Sequence, residues 1–321
     1  MADFPFRPMT LSDRGLVEGY RTRSAIEVSE LTFTNLFAWR RAKAVYVAEQ
    51  NGVLLIARVA HGMAWMLPPL GQCDWAEPVP RVLGSKCDGM EIVGMERAPE
   101  ALAETLRKAG LNVEHDRDNS DYVYCREDLA ELKGNKYRKK RNQVHSTLAD
   151  YRCEYEEIHG PVLDECRAFQ DHWCETKQCG RVPGLCQEYR AIMETLDHFD
   201  DLGLIGGAIR VEGKIRAFTI GEELLPDTAV VHFEKADITV PGLSQVINYW
   251  FCQKSLGRFE FVNREQDLGI PGLRKAKESY HPHHMVEKYR ITLPGRKPII
   301  VEEEPAPCAR SMGSPAIFHA F

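Results

Sequence analysis

LIGGAIRVEGKIRAFTIG (204–221) reads as two strands, 204–211 and 214–221, closed by the dipeptide Glu212-Gly213. A two-residue linker of this kind between apolar runs is a hairpin turn. TAVVHFEKAD (228–237) follows as a third strand. Leu243, Val246, Ile247, Trp250 and Phe251 are then spaced i, i+3, i+4, i+7 and i+8, the pattern of an amphipathic helix. FEFV (259–262) is a short buried strand. Pro271 suits the first turn of a helix that runs through Leu273 to Tyr280. VEKYRITL (286–293) closes as a strand. Upstream, YRCEYEEI (151–158) reads as a strand, and helices over 161–177 and 188–198 lead into the hairpin. The order β-α-α-β-β-β-α-β-α-β describes a mixed α/β (α+β) unit, a sheet flanked by helices.

The first half repeats this order. AVYVAEQNGVLLIARV (44–59) is a hairpin on Asn51-Gly52, a strong hairpin dipeptide, and it occupies the place of the 204–221 hairpin. SDRGLVEGYRTR (12–23) and LTFTNLFAWRR (31–41) precede it as helices. MAWMLPP (63–69) and MEIVGM (90–95) follow as strands, then the helix PEALAETLRKAG (99–110) with Gly110 at its end. VEHDRDNSDYVYC (113–125) is expected to finish the unit. The expected organisation is an N-terminal domain over 1–130, a basic linker helix over 131–150, a C-terminal domain carrying the site over 151–295, and a loosely held tail over 296–321. A cleft is expected between the two domains.

The 321 residues are 44% hydrophobic and 27% charged, the mixture of a soluble globular chain. A formal net charge of −6 argues against nucleic-acid binding by bulk charge, though not against local basic patches. The start MADFPFRPMT lacks the basic and apolar regions of a secretory signal, and no run approaches the length of a membrane span. The 10 Cys are therefore expected to be reduced, in a cytoplasmic protein. His172, Cys174, Cys179 and Cys186 lack zinc-site spacing, as does HPHH (281–284), and no metal is expected.

Chemistry concentrates in FVNREQDLGIPGLRKAKESYHP (261–282). A turn does not require an Arg, a Glu and an Asp together. Asn263, Arg264, Glu265 and Asp267 stand where a strand ends, a usual place for site residues in α/β folds. Arg264 can fork a carboxylate or phosphate, and Glu265 and Asp267 can hold a cation or act as a base. Arg274, Lys277 and Tyr280, each three apart, can share one face of the next helix. Mutual pairing and capping of the helix is the other reading of the same charges. Glu234 and Asp237, at the end of the third strand, are further candidates. Gly242 opens the next helix, with Gln245 and Asn248 on its polar side. The basic block of the linker helix offers Lys136, Lys140, Arg141 and Asn142 to phosphates of RNA, a nucleotide or a lipid headgroup.

The element order resembles the GNAT acyltransferase fold, in two tandem copies. In acetyltransferases of that fold the place of Gly242 carries a Gly-rich loop that cradles the pyrophosphate of coenzyme A; here it is Pro241-Gly242 with no second glycine. SELTFTNLFAWR (29–40), LKGNKYRKKRNQV (132–144), IRVEGKIRAFTIGE (209–222), VHFEKAD (231–237) and the 261–282 stretch together resemble the phosphatidylglycerol lysyltransferase C-terminal-domain-like family. The resemblance covers roughly residues 1–295. It implies an acyl- or aminoacyltransferase that moves an aminoacyl group, with aminoacyl-tRNA or an acyl-coenzyme A as donor, onto a hydroxyl or amine. Glu234, Asp237, Asn263, Arg264, Glu265 and Asp267 are then the residues for the transfer chemistry, and Lys136, Lys140 and Arg141 hold the donor's phosphates. An acetyl-coenzyme A-dependent N-acetyltransferase and a non-enzymatic ligand or RNA binder are the alternatives.

Overall fold

The computed structural model describes residues 4–179 and 183–295. The tail expected at 296–321 lies outside them. In the first half the chain forms β1 (Arg7–Pro8), α1 (Arg14–Ser24), α2 (Phe33–Trp39), β2 (Ala44–Gln50), β3 (Val53–Ala60), β4 (Met63–Met66) and β5 (Leu70–Gly71). It continues through α3 (Pro78–Val82), β6 (Lys86–Cys87), β7 (Met90–Pro99), α4 (Glu100–Lys108), β8 (Asn112–His115), β9 (Asp121–Cys125) and α5 (Arg126–Glu131). The second half has α6 (Arg138–Asp150), β10 (Cys153–Glu157), α7 (Pro161–Thr176), α8 (Pro183–Asp197), β11 (Ile205–Val211), β12 (Lys214–Leu225) and β13 (Thr228–Ala236). It ends with α9 (Leu243–Lys254), β14 (Phe261–Asn263), α10 (Pro271–Glu278), β15 (His284–Val286) and β16 (Lys288–Thr292).

Both hairpins form where they were read. Glu212 and Gly213 take φ of 48° and 79°, and Asn51 and Gly52 take 52° and 74°, the two consecutive left-handed residues that a type I′ turn needs. The strands assemble into two mixed sheets, β1-β2-β3-β4-β7-β16-β8 and β10-β11-β12-β13-β14-β9-β15. Each is antiparallel except for one pair, β4–β7 in the first and β13–β14 in the second. The architecture is thus two GNAT-like units in tandem.

The second sheet is covered on both faces. Val246, Ile247 and Phe251 of α9 pack with Val144 of α6 on Ile209, Val211, Ala217 and Val231. Cys166 and Phe169 of α7 and Ile192 and Leu196 of α8 pack on Ala208, Phe218, Ile220 and Phe233. The β13–β14 pairing lasts only from Thr228↔Phe261 to Val230↔Asn263, yet β13 runs on to Ala236. Beyond Val230 the two strands part, and the sheet opens as a wedge.

The halves exchange a strand, which corrects the expectation that 113–125 completes one unit and 286–293 the other. β9 leaves the first half to lie between β14 and β15 in the second sheet, and β16 leaves the second half to lie between β7 and β8 in the first. The stretch 286–293 is therefore two strands rather than one. Lys288 ties the crossing together: its side chain is fully buried there, with Nζ 2.5 Å from Glu30 and 2.6 Å from Asp121. A buried ammonium needs carboxylates, and its two partners belong to the first half. Arg97 holds the other oxygen of Glu30 at 2.7 Å. Burial alone would raise the Glu30 carboxyl, but Lys288 and Arg97 outweigh it and hold it down to about 2. The halves also share an apolar cluster, with Phe33 and Phe37 of α2, Val123 of β9, Leu202 and Val286 packed together.

Replacing Lys288 by Met leaves buried Asp121 without its cation and Glu30 with Arg97 alone. Denaturant unfolding is expected to show a loss of about 3–5 kcal/mol. Arg81→Ala, which breaks an exposed pair with Glu77, is expected to cost under about 1 kcal/mol.

Candidate active site

The wedge of the second sheet gathers one set of polar residues. Glu234 lies on β13 beyond its paired stretch, and Arg264 follows β14 directly. Arg264 Nη2 donates to Glu234 Oε2 at 3.1 Å across the opening. The guanidinium lies 5.2 Å from the centre of the Tyr280 ring and 5.9 Å from that of Tyr124, in range of cation–π attraction. Pro271 at the start of α10, after extended Ile270, sets the helix so that Lys277 faces the wedge floor. The Lys277 ammonium donates to the carbonyl of Arg264 and to that of Glu265 at 3.3 Å. Burial, with the neighbouring Arg264 charge, pulls it down to about 8. From α6, Lys140 Nζ reaches 4.3 Å from the Tyr280 ring centre, and burial and Arg264 lower its pKa too. Burial pushes the Tyr280 hydroxyl up to about 12. Asn248, buried on α9, faces Tyr280; its Oδ1 takes the Cys252 thiol at 3.8 Å, and its Nδ2 lies near the Tyr280 hydroxyl without a hydrogen bond of good geometry.

The remaining candidates stand in other arrangements. Asp267 is fully buried and receives Tyr122 (2.6 Å), Arg274 Nε and Nη2 (both 2.9 Å), Arg117 (3.2 Å) and the Gly269 amide (2.8 Å). Its carboxylate is saturated and fixes the turn into α10, with Arg274 also on Asp118 at 2.6 Å. Asn263 points toward the strand crossing, donating to Asp121 at 3.1 Å and accepting from the Glu265 amide at 2.8 Å. Glu265 Oε1 takes Asn35 of α2 at 3.1 Å and His232 Nδ1 at 2.8 Å, while His232 Nε2 meets Glu222 at 2.8 Å. Asp237 takes Arg216 at 2.7 Å and the Thr239 amide at 2.8 Å, closing its own loop. Lys136 pairs with Asp128 at 3.2 Å. Arg141 caps α5 through the carbonyls of Leu132 (2.5 Å) and Gly134 (3.1 Å). Asn142 is exposed and Gln245 half-buried. Gly242 has φ +81°, and a Cβ there would strike Thr147 Oγ1 of α6, so this glycine permits close packing of two helices.

The family described as phosphatidylglycerol lysyltransferase, C-terminal, matches residues 21–292. The chain belongs to this family. A crystal structure of a conserved protein of unknown function from Bacteroides thetaiotaomicron is 33% identical, with a TM-score of 0.84, over 90% of this chain and 99% of that one. The C-terminal domain of a putative lysylphosphatidylglycerol synthetase from Agrobacterium fabrum aligns at 15% identity, TM-score 0.64, over 89% and 93% of the two chains. L-PGS from Bacillus licheniformis aligns at 13% identity, TM-score 0.62, over 92% and 95%. At these two identities the likeness is one of fold. Among the curated proteins, none matches the chain.

This member of the lysyltransferase family is an acyltransferase-related chain whose described residues include no helix long and apolar enough to cross a membrane. A surface cleft of about 620 Å³, lined by residues including Glu114, His115, Asp118 and Arg290, lies at the strand crossing and contains none of the wedge residues. Sequence reasoning missed Tyr124, Cys252, His232, Glu222 and Asn35. His232 carried a signal, a titratable residue inside the apolar run TAVVHF. Tyr124 carried none, because its strand was assigned to the other sheet.

His232 gives the pH dependence of this region. Burial would lower its pKa, but the hydrogen bonds it donates to Glu222 and Glu265 outweigh this and raise it to about 10. A raised folded-state pKa stabilises fully below the unfolded value near 6.5, and the contribution is lost as pH climbs toward 10. Unfolding free energy is therefore expected to fall between pH 7 and 10 by up to about 1.4 kcal/mol per pH unit from this group. His232→Gln is expected to flatten that slope in denaturant titrations across pH.

Proposed function

We propose that the protein transfers an aminoacyl group from the ester of an aminoacyl-tRNA to an acceptor hydroxyl or amine, with the chemistry at the Glu234–Arg264 wedge. The observation that carries this choice of donor is the position of α6. In a GNAT-like sheet the pyrophosphate of an acyl-coenzyme A belongs at the start of the helix that follows β13. Here Thr147 of α6 donates to Pro241 at 2.7 Å, and Gly242 is pressed against Thr147 and Gln143. The space for a diphosphate is filled by protein. The same helix and the turn before it carry Lys136, Arg138 and Lys139 exposed at the surface and Lys140 inside the wedge. Such a stripe suits a polyphosphate backbone better than one cofactor. Family membership and the two synthetase-related structures point to the same chemistry.

The residues fit the transfer step as follows. The acceptor oxygen or nitrogen attacks the ester carbonyl carbon, and the bond to the ribose oxygen of the tRNA breaks. Glu234, whose one hydrogen bond among the described residues is from Arg264, takes the acceptor's proton and returns it to the departing ribose oxygen. Arg264 has further N–H groups to offset charge on the carbonyl oxygen in the tetrahedral intermediate. Asp267 has both oxygens filled by hydrogen bonds, and Glu265 is held through Oε1 by Asn35 and His232.

Labelled aminoacyl-tRNA mixed with the protein and phosphatidylglycerol vesicles or a soluble amine is expected to yield labelled acceptor. Glu234→Gln is expected to slow that transfer at least about 100-fold in a protein that still unfolds cooperatively, at a lowered melting temperature because Arg264 loses its carboxylate. Calorimetry with acetyl-coenzyme A is expected to be silent; micromolar binding there would favour an acetyltransferase instead.

A further inference from the structure

We propose that Lys140, Arg264 and Asn248 form a subsite for a phosphodiester monoanion of the substrate, beside the Glu234 carboxylate. Arg264 and Lys140 both lie within 5.2 Å of the centre of one ring, that of Tyr280. Two cations placed this close repel each other, and each lowers the other's tolerance of burial. Among the described residues Glu234 hydrogen-bonds Arg264 alone, and its charge reaches Lys140 only through space. Lys277 is held by two backbone carbonyls. Lys140 is left with an aromatic face and no anionic or carbonyl acceptor among the described residues. Its neighbours Lys136 and Arg141 are committed elsewhere, to Asp128 and to the end of α5. The helix thus sends a single ammonium inward.

Asn248 is the independent observation. It is 4% exposed, on a different helix, and its Nδ2 makes no hydrogen bond of good geometry, lying near the Tyr280 hydroxyl. An unsatisfied donor in a packed interior is costly unless a ligand satisfies it. Ammonium, guanidinium and amide, three donors around Tyr280 without a shared acceptor, match an anion with more than one oxygen. The choice of phosphodiester over carboxylate rests on the aminoacyl-transfer reading. In an aminoacyl ester the carboxyl is already esterified, so the anions available are phosphodiesters. Two sources carry that group, the 3′ end of the tRNA and the headgroup of a phospholipid acceptor.

Titration calorimetry of the intact protein with the trinucleotide CpCpA and, separately, with glycerophosphoglycerol tests the subsite and tells the sources apart. The expected result is saturable binding of at least one probe. Binding of the trinucleotide assigns the subsite to the donor, and binding of glycerophosphoglycerol assigns it to a lipid acceptor. Lys140→Gln and Asn248→Leu are each expected to weaken the bound probe about tenfold, the loss of one charge-assisted or buried hydrogen bond. Asn248→Leu is expected to do so with an unchanged or higher melting temperature, because it removes an amide that the empty protein leaves unsatisfied. A purely structural Asn248 would lower it. Absence of binding by both probes, or wild-type affinity in both variants, overturns the subsite. Loss of probe binding in the variants, in a protein that shows no aminoacyl transfer, supports the subsite and removes the donor assignment. Transfer with an unchanged KM in Lys140→Gln keeps the donor assignment and overturns the subsite.

Discussion

Lys288 is the constraint on which the architecture turns. Its ammonium is sealed between Glu30 and Asp121, and those carboxylates belong to the opposite half of the chain. That contact is made where β16 enters the first sheet and β9 enters the second. The two crossing segments then meet, with the Asp116 amide on the Lys288 carbonyl at 2.8 Å and Ser120 on Glu287 at 3.1 Å. Neither sheet is complete without the other half. Removing the charge pair together, in favour of apolar residues, is the kind of change a buried ion pair tolerates; removing one member is not. Specifying which strand goes where is a use of buried charge that a hydrophobic core does not supply.

The same network reaches the wedge. Asp121 holds Asn263, and Asn263 holds the Glu265 amide. Arg264 lies between those two residues, so the side chain that meets Glu234 is carried on backbone tied to the strand crossing. β9 also brings Tyr124 under the Arg264 guanidinium. Positions 263 to 267 then serve four separate ends: the crossing, the wedge, the His232 bridge and the cap of α10. Left-handed backbone at Glu265 (φ 56°) and Leu268 (φ 54°) turns successive side chains apart. The other three sets pair their charged groups within the protein, while the wedge holds Lys140 against an aromatic face.

Much of the fold was legible because it is local. The Asn51-Gly52 and Glu212-Gly213 turns, the spacing of Leu243 to Phe251 and the placing of Pro271 each declare an element within a few residues. The exchange of β9 and β16 was not legible, since DYVYC and KYRIT look alike whichever sheet receives them, and Lys288 reads as a surface charge until its partners 167 and 258 residues away are known. The site was legible in part. The over-charged junction and Glu234 were read as a possible cluster, and Glu234, Arg264, Lys277, Tyr280, Asn248 and Lys140 do converge. Asp267 and Arg274 form a cap instead, which the alternative reading of those charges described. Gly242 looked like a remnant of a phosphate loop, but its left-handed φ and lack of a Cβ serve the approach of α6 to α9.

The most direct test of the wedge as the transfer site is a crystal structure with a non-hydrolysable donor, a 5′-phosphorylated adenosine bearing an amide-linked 3′-aminoacyl group. The expected result places its carbonyl oxygen within hydrogen-bonding distance of Arg264 and leaves Glu234 facing the carbonyl carbon. Density for the ligand in the cleft beside Glu114 and Arg290, or within the first sheet, would contradict the assignment.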